Sequence, residues 1–266
     1  MLKYAFKEVL DGIKRLYVPF EGTNTSVFIV KSDSGYFLID CATTSNDVAE
    51  IIIPAIKAEG IALCKIKYIL LTHRHGDHAG GIYELARQLP KAKICASTLA
   101  ASRMTNITVI GLEDEQTLDG VIAACSLPGH TDDSMGYVHL TTKTLISGDC
   151  VQQYGIGKYG CGLESPSMYR SSLKRLLDDK TIENILPAHT YVPFGDEDFG
   201  REAYEAHIEG SLEYCELASE FISHCLADGI TDASEIGRMF KETYSDMMPG
   251  NLVLPVWTIE AYIANK

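Results

Sequence analysis

The chain has 266 residues, is 46% hydrophobic and carries a formal net charge of −13 at pH 7. This composition suits one large domain, or one domain with an appendage, and it excludes a disordered polypeptide because apolar residues recur along the whole length. No apolar run is long enough to span a bilayer, and the acidic balance disfavours nucleic acid, so we expect neither a membrane nor a nucleic-acid partner.

The N-terminal sequence lacks the apolar core and the cleavage site of a secretion signal, which predicts a cytoplasmic location. The eight cysteines are scattered, with no Cys-x-x-Cys pair, and we expect them to be reduced and mostly buried.

Strands and helices alternate up to about residue 195. The runs that predict strands are Ile13–Val18, Ser26–Val30, Tyr36–Ile39, Ile66–Leu71, Lys93–Ala96, Val121–Leu127, Met135–Leu140, Thr144–Ile146 and Asn184–Leu186. The helices are predicted from a cap at Ser45 or Asn46 to Gly60, from Gly81 to Pro90, and from Pro166 to Leu177. This alternation indicates an α/β layer architecture with loops at the strand ends.

Helical periodicity prevails in the last part of the chain. One long pattern runs from Glu202 to Ala227, a second begins near Thr231 and continues through Phe240, and a third apolar segment spans Leu252–Ile263. We therefore predict a first domain over residues 1–195 and a C-terminal helical extension over residues 196–266. The extension could wall a substrate cleft or form the surface of a homodimer.

A cluster of metal-ligand residue types directly follows the strand that ends at Leu71. His73, His75, Asp77 and His78 fall within six positions there. Imidazole and carboxylate groups are ligands that Zn²⁺, Mn²⁺ and Fe²⁺ accept. A buried strand that ends in four such side chains predicts a metal site at the edge of a sheet.

Three later strands also break at Gly, Pro or Ala and are followed at once by a ligand-type residue: His130, Asp149 and His189. Loops at one end of a sheet can converge on a single point. Seven ligands are too many for one tetrahedral ion, but they are the right number for two ions that share a bridging carboxylate.

The run His-x-His-x-Asp-His, followed by a distant His, Asp and His, is similar to the signature of the metallo-β-lactamase-fold hydrolases. The resemblance implies an αββα sandwich over residues 1–195, the catalytic domain, with the metals at one edge and a helical appendage after it. It also implies that Asp40 orients a ligand from behind, although Ala42 replaces the usual glycine. The implied ligands are His73, His75 and His130 for one metal, Asp77, His78 and His189 for the other, and Asp149 as the bridge.

Such a site implies metal-assisted hydrolysis. Two cations lower the pKa of a shared water towards about 7, and the bridging hydroxide attacks an electrophile, with Asp77 and Asp149 as the catalytic carboxylates. Zinc is our first expectation, with manganese or iron as alternatives, because nitrogen and oxygen ligands accept all three. His139, His207 and His224 are given no role.

The loop after Asp149 bears on the substrate. Residues 155–160 are similar to the loop that, in glyoxalase II, supplies a lysine and a tyrosine to glutathione. Lys158 matches that lysine, whereas Gly160 stands where the tyrosine would be and Tyr159 is shifted by one position. The alternative for Lys158 is a solvated loop residue.

Two further tyrosines are candidates for contact with substrate. Tyr191 follows His189 by two positions and could donate a hydrogen bond to a developing oxyanion, and Tyr154 is a similar candidate. The alternative for both is a place in the apolar wall of the pocket.

Three functions remain open on this reasoning. The first is a dinuclear hydrolase of a small thioester, ester or lactone, because a bridging aspartate resembles those enzymes and phosphodiesterases more than true β-lactamases. The second is a phosphodiesterase or nuclease, which would need a basic substrate channel that the acidic composition does not indicate. The third is an iron-loaded redox protein, which is disfavoured because no flavin-binding domain is attached.

Overall fold

The computed structural model of the protein describes residues 3–191, 195–196, 199–244 and 253–264. Two β-sheets lie face to face, and helices cover the outer face of each sheet. The predicted αββα layer arrangement is confirmed.

The larger sheet has seven strands that follow one another in chain order. Its strands are β1 (Lys7–Leu10), β2 (Ile13–Phe20), β3 (Thr23–Ser32), β4 (Gly35–Ile39), β5 (Ile66–Leu70), β6 (Lys93–Ser97) and β7 (Ile110–Leu112). β1 to β4 pair antiparallel through short turns, whereas β4 to β7 pair parallel because helices connect them.

The smaller sheet has five strands in the order β12-β11-β10-β9-β8. Its strands are β8 (Thr117–Leu118), β9 (Ile122–Ser126), β10 (Met135–His139), β11 (Thr144–Gly148) and β12 (Asn184–Pro187). β10 runs antiparallel to both β9 and β11, and β11 is parallel to β12. The carboxyl ends of β9, β11 and β12 therefore meet at one edge, which is where His130, Asp149 and His189 follow.

The helices of the first half pack on the larger sheet and those of the second half pack on the smaller one. They are α1 (Ser45–Asp47), α2 (Ile53–Ala58), α3 (Gly76–Ala79), α4 (Ile82–Gln88), α5 (Thr98–Arg103), α6 (Pro166–Asp178), α7 (Arg201–Ala227), α8 (Ala233–Tyr244) and α9 (Val256–Ala264). A π-helical stretch, Val48–Ile52, joins α1 to α2. None of the described helices combines the length and the apolar character needed to cross a membrane.

The structure differs from the sequence prediction at several local points. The first helix is capped by Thr44 rather than by Ser45 or Asn46, because the Thr44 side chain and Asp47 form a reciprocal capping box. α3, α5, β7 and β8 were not predicted, because each is too short to show a periodic pattern. Leu252, where the third C-terminal segment was predicted to begin, lies outside the described residues.

Neighbouring residues of a buried strand serve different cores because successive side chains point to opposite faces. Phe37 and Ile39 of β4 lie between the sheets, whereas Leu38 packs under the helices of the first half. In the smaller sheet, Ile146 faces the other sheet, and Leu145 packs with α6 to α9. The C-terminal helices thus share a continuous core with the smaller sheet.

Gly129, directly before His130, lets its loop approach α6 closely. Its φ is +142°, and a Cβ built on it would collide with the backbone of Tyr169. The side chain of Ser172 also donates a hydrogen bond to the carbonyl oxygen of Pro128, at 2.8 Å. Close backbone packing therefore fixes where His130 leaves β9.

We predict that Gly129→Ala lowers the free energy of unfolding by about 3 kcal/mol or more, because the new methyl group meets backbone rather than a movable side chain. Gly120→Ala is the matched control, since Gly120 also has a positive φ but has open space around it. The control should lose only about 1–2 kcal/mol. Denaturant unfolding of both variants measures the difference, and equal losses would contradict the packing argument.

Candidate metal centre

Three histidines form a nitrogen-rich group at the sheet edge. Nε2 of His130 lies 3.2 Å from Nε2 of His73 and 2.9 Å from Nδ1 of His75. The other ring nitrogen of His130, Nδ1, lies 2.6 Å from the carbonyl oxygen of Gly162, to which it donates. A neutral imidazole carries only one N–H, so Nε2 of His130 presents a lone pair to the two neighbouring rings.

Asp77, His78 and His189 form the second group. Oδ2 of Asp77 lies 3.4 Å from Nε2 of His78 and 3.3 Å from Nε2 of His189. Nδ1 of His189 donates to the carbonyl oxygen of Asn24 at 2.6 Å. Nε2 of both histidines is buried, and both nitrogens lie beside the same two carboxylates, those of Asp77 and Asp149.

Asp149 lies between the two groups. Its Oδ1 is 3.4 Å from Nε2 of His78 and 3.3 Å from Nε2 of His189, and its Oδ2 is 3.7 Å from Nε2 of His130. One carboxylate oxygen therefore faces each group. The buried hydroxyl of Tyr191 donates to Oδ1 at 3.0 Å and holds the carboxylate in this orientation.

Asp40 stands behind His78 and fixes its ring. Its Oδ2 accepts from Nδ1 of His78 at 2.7 Å, and its Oδ1 accepts from the backbone N–H of Thr72 at 2.8 Å. The hydroxyl of Thr72 also donates to Oδ2, at 2.8 Å. Asp40 has a φ of +62°, a left-handed conformation that aspartate tolerates better than most residues.

The pKa values of the histidines shift in opposite directions in the two groups. Burial, together with the neighbouring imidazole of His75, lowers the pKa of His130 to about 4. Burial also lowers the pKa of His189, but the carboxylates of Asp149 and Asp77 outweigh it and raise that pKa to about 9. In the same way, carboxylates outweigh burial at His78 and raise its pKa well above the ordinary value.

These observations test whether the residues fit divalent cations. Three His/Asp groups, with ligand atoms within 4.8 Å of one another, could each hold an ion. In the first group, lone pairs face one another, and in the second, two carboxylates converge on the buried Nε2 atoms of His78 and His189. A cation resolves both conditions at once, so the residues fit metal ions, and all seven predicted ligands lie together.

The four predicted substrate residues lie in different places. Tyr159 lines the cleft beside the metal centre, and its hydroxyl donates to Glu21 at 2.6 Å. Lys158 pairs with the same Glu21 at 2.5 Å and is largely exposed. Tyr154 packs edge-on against Tyr214 in the core, and Tyr191 is occupied with Asp149, so neither is among the residues that line the cleft.

The cleft has a volume of about 300 Å³ and includes residues that the sequence reasoning missed. Phe20 comes from the end of β2, Gln152 follows Asp149, and Trp257 comes from α9. No local spacing marks these positions. The only sequence signal is that Trp257 is the single tryptophan of the chain.

Residues 20–195 match the sequence profile of the family described as the metallo-beta-lactamase superfamily. The chain belongs to the metallo-beta-lactamase superfamily. Divalent metals are the ligands of this superfamily, in agreement with the His/Asp groups of the site.

Curated relatives of this superfamily member carry different names. The hydroxyacylglutathione hydrolase of Rhodopseudomonas palustris (strain BisA53) is 35% identical in a 153-residue alignment that covers 54% of this chain and 58% of that protein. The atrochrysone carboxyl ACP thioesterase of Claviceps purpurea (strain 20.1) is 26% identical in a 171-residue alignment that covers 61% of this chain and 49% of that protein. The chain thus spans about half the length of the curated relatives it matches.

Solved structures of the superfamily share the fold at low identity. A Cronobacter sakazakii metallo-beta-lactamase with a HARLDQ motif has a TM-score of 0.62 at 20% identity, covering 79% of this chain and 92% of that one. A flavo di-iron protein mutant from Thermotoga maritima has a TM-score of 0.65 at 15% identity, covering 86% of this chain and 71% of that one. Identities this low show the fold alone.

We predict that Asp40→Asn weakens metal binding about 10- to 100-fold, because the amide cannot hold the His78 ring as the carboxylate does. Asparagine tolerates the positive φ, so the backbone need not change. Asp119→Asn is the matched control, since Asp119 is exposed and also has a positive φ. Competition with a chromophoric chelator measures both affinities, and equal values would contradict the orienting role of Asp40.

We predict that metal binding at about pH 7.5 releases protons, about two per fully loaded protein. Nearby carboxylates raise the pKa of His189 to about 9 and raise that of His78 well above its ordinary value, yet both rings must be neutral to bind a metal. Metal affinity should therefore fall as the pH is lowered. Calorimetry in two buffers with different ionisation enthalpies counts the protons, and a buffer-independent enthalpy would contradict the prediction.

Proposed function

We propose that the chain is a dinuclear metal-dependent hydrolase of a small thioester, ester or lactone. The observation that carries the proposal is the position of Asp149, whose two carboxylate oxygens face two separate groups of ligands. His73, His75 and His130 would hold one ion, Asp77, His78 and His189 the other, and Asp149 both. Zinc is the first candidate, and manganese and iron suit the same ligands.

Two divalent ions, when bound, would supply a water of lowered pKa and a polarised electrophile. The chain's own residues keep that chemistry in place. Asp40, Asn24 and Gly162 accept the Nδ1 protons of His78, His189 and His130, so each ring presents Nε2 to the site. This chemistry requires no serine or cysteine nucleophile. Burial also raises the pKa of the Cys150 thiol, which disfavours the thiolate form that a nucleophile would need.

Asp77 and Asp149 are the carboxylates to which we assign catalytic roles. Burial raises the pKa of Asp77, but the neighbouring His78 outweighs it and holds the pKa below its usual range. The same competition between burial and the imidazoles of His189 and His78 lowers the pKa of Asp149. Both carboxylates stay ionised at neutral pH, as ligation and electrostatic stabilisation require.

The substrate class is supported by the names of the relatives and by the character of the cleft. One relative is named a hydroxyacylglutathione hydrolase and another a thioesterase. Among the described residues that line the cleft there is no lysine or arginine. A phosphodiester or nucleic-acid substrate normally finds such cations, so the cleft favours carbonyl electrophiles.

We predict that Asp149→Ala loses one of the two metal ions and lowers kcat/KM at least about 100-fold, because the bridge between the two ligand groups is removed. Asp178→Ala, at an exposed position at the end of α6, is the control and should keep both ions and full activity. Elemental analysis and turnover of a thioester panel are measured on the same samples. Retained activity with both ions bound would refute the bridging role.

The reaction class needs a separate test. Thioester, lactone and phosphodiester panels are compared with the metal-loaded protein, and faster turnover of thioesters or lactones is expected. A preference for phosphodiesters would replace the proposal. Two irons in protein purified without added metal, together with oxygen consumption, would replace it with a redox function.

A further inference from the structure

Three aromatic side chains from distant segments form the outer wall of the cleft. They are Phe20 at the end of β2, Tyr159 in the turn after Asp149, and Trp257 in α9. The rings of Phe20 and Tyr159 stack with centroids 5.6 Å apart and an interplanar angle of 18°. Tyr159 and Trp257 are each 41% exposed, so the rest of the chain covers both side chains only in part.

Trp257 is held close to the metal centre by packing against Gly162. A Cβ built on Gly162 would collide with the indole ring, so glycine is what admits the tryptophan there. The backbone N–H of Leu163 donates to the side chain of Thr258 at 2.8 Å, which fastens α9 to the same segment. The carbonyl oxygen of Gly162 in turn accepts from His130. The indole of Trp257 therefore packs against Gly162, the residue whose carbonyl oxygen orients the ring of His130.

A cationic group beside this wall is already paired, and the Lys158 ammonium lies 5.1 Å from the centroid of the Tyr159 ring. Lys158 pairs with Glu21 at 2.5 Å, and Glu21 also accepts from the Tyr159 hydroxyl. No lysine or arginine is among the cleft-lining residues of the described chain. The internal segments outside the described residues, 192–194, 197–198 and 245–252, contain no lysine or arginine in their sequence. A carboxylate remote from the scissile bond would therefore have to compete with Glu21 for Lys158.

We propose that this aromatic wall makes the protein select uncharged substrates with an aromatic or bulky apolar portion and discriminate against glutathione thioesters. The inference rests on the proposed function and names the substrate class of that site. An apolar group gains by leaving water for the three rings. The two carboxylates of glutathione, which lie far from its sulfur, would lose hydration and would have to compete with Glu21 for the paired Lys158.

A binding experiment tests the proposal without any turnover. The probes are two uncleavable thioethers with the same benzyl group, neutral S-benzyl-N-acetylcysteamine and anionic S-benzylglutathione. Because Trp257 is the only tryptophan, its fluorescence reports the site directly. We expect the neutral probe to change the emission and to bind at least about tenfold more tightly, a difference of about 1.4 kcal/mol. Equal or tighter binding of S-benzylglutathione, or an emission that stays unchanged at saturation, would overturn the proposal.

Matched variants assign the effect to the wall. Tyr159→Ala should weaken binding of the neutral probe about fivefold, because one ring of the stack is lost. Tyr83→Ala is the control, since Tyr83 is an exposed tyrosine of α4 that does not line the cleft. Equal effects of the two substitutions would overturn the role of the wall.

The Glu21–Lys158 pair has its own variant. Glu21→Gln keeps a hydrogen-bond acceptor for Tyr159 but releases Lys158, so affinity for S-benzylglutathione should rise severalfold while that for the neutral probe stays the same. An unchanged affinity for S-benzylglutathione would contradict the idea that Glu21 withholds the lysine.

Turnover separates this inference from the proposed function. A protein that shows the binding preference but hydrolyses no ester or thioester would refute the proposed function and leave the wall's selectivity intact. A protein that hydrolyses S-phenylacetylglutathione faster than S-phenylacetyl-N-acetylcysteamine would refute the selectivity and leave the hydrolase function intact.

Discussion

The site depends on one repeated interaction, a hydrogen bond from Nδ1 of a buried histidine to a fixed acceptor. Asp40 receives it from His78, the carbonyl of Asn24 from His189, and the carbonyl of Gly162 from His130. Each bond settles which nitrogen carries the proton and therefore aims the other nitrogen at the metal space. The acceptors belong to three different segments, so the orientation of the ligand rings depends on how the two sheets are placed.

These hydrogen bonds hold the histidine rings and carboxylates of the site close together in a buried environment. His73, His78, His130 and His189 are almost fully buried, and their free nitrogens face other nitrogens or carboxylates. Burial lowers the pKa of His130, whereas nearby carboxylates outweigh burial and raise the pKa of His189. A proton on His189 therefore balances part of the negative charge that a bound cation would balance. Such an arrangement couples metal binding to folding, because the fold brings ligands from distant segments together, and to proton release, because the histidines must be neutral to bind a metal.

The C-terminal helices contribute to this arrangement as well as to the core. The backbone N–H of Gln153 donates to Ser211 of α7 at 2.9 Å, and its side-chain amide contacts His207 at 2.6 Å. α7 therefore fixes the loop that follows Asp149, and α9 brings Trp257 to the cleft. Trp257 places α9 in the wall of the cleft, and the homodimer surface stays a prediction. The substrate preference that we propose arises from this long-range packing.

An α/β layer architecture and the strand ends could be predicted from the sequence, because strand and helix periodicities are local properties. The αββα sandwich and the roles of the seven ligands followed from the resemblance of the ligand motifs to a known family. His73 and Asp149 could be named because each comes just after the end of an apolar strand. Other features were decided only by the tertiary structure: Lys158 turns to Glu21, Tyr191 holds Asp149, and Trp257 packs on Gly162. The partners in these contacts are 137, 42 and 95 positions apart, counted from their residue numbers. Contacts at such separations depend on how the sheets and helices stack, and no local pattern of residues encodes that stacking.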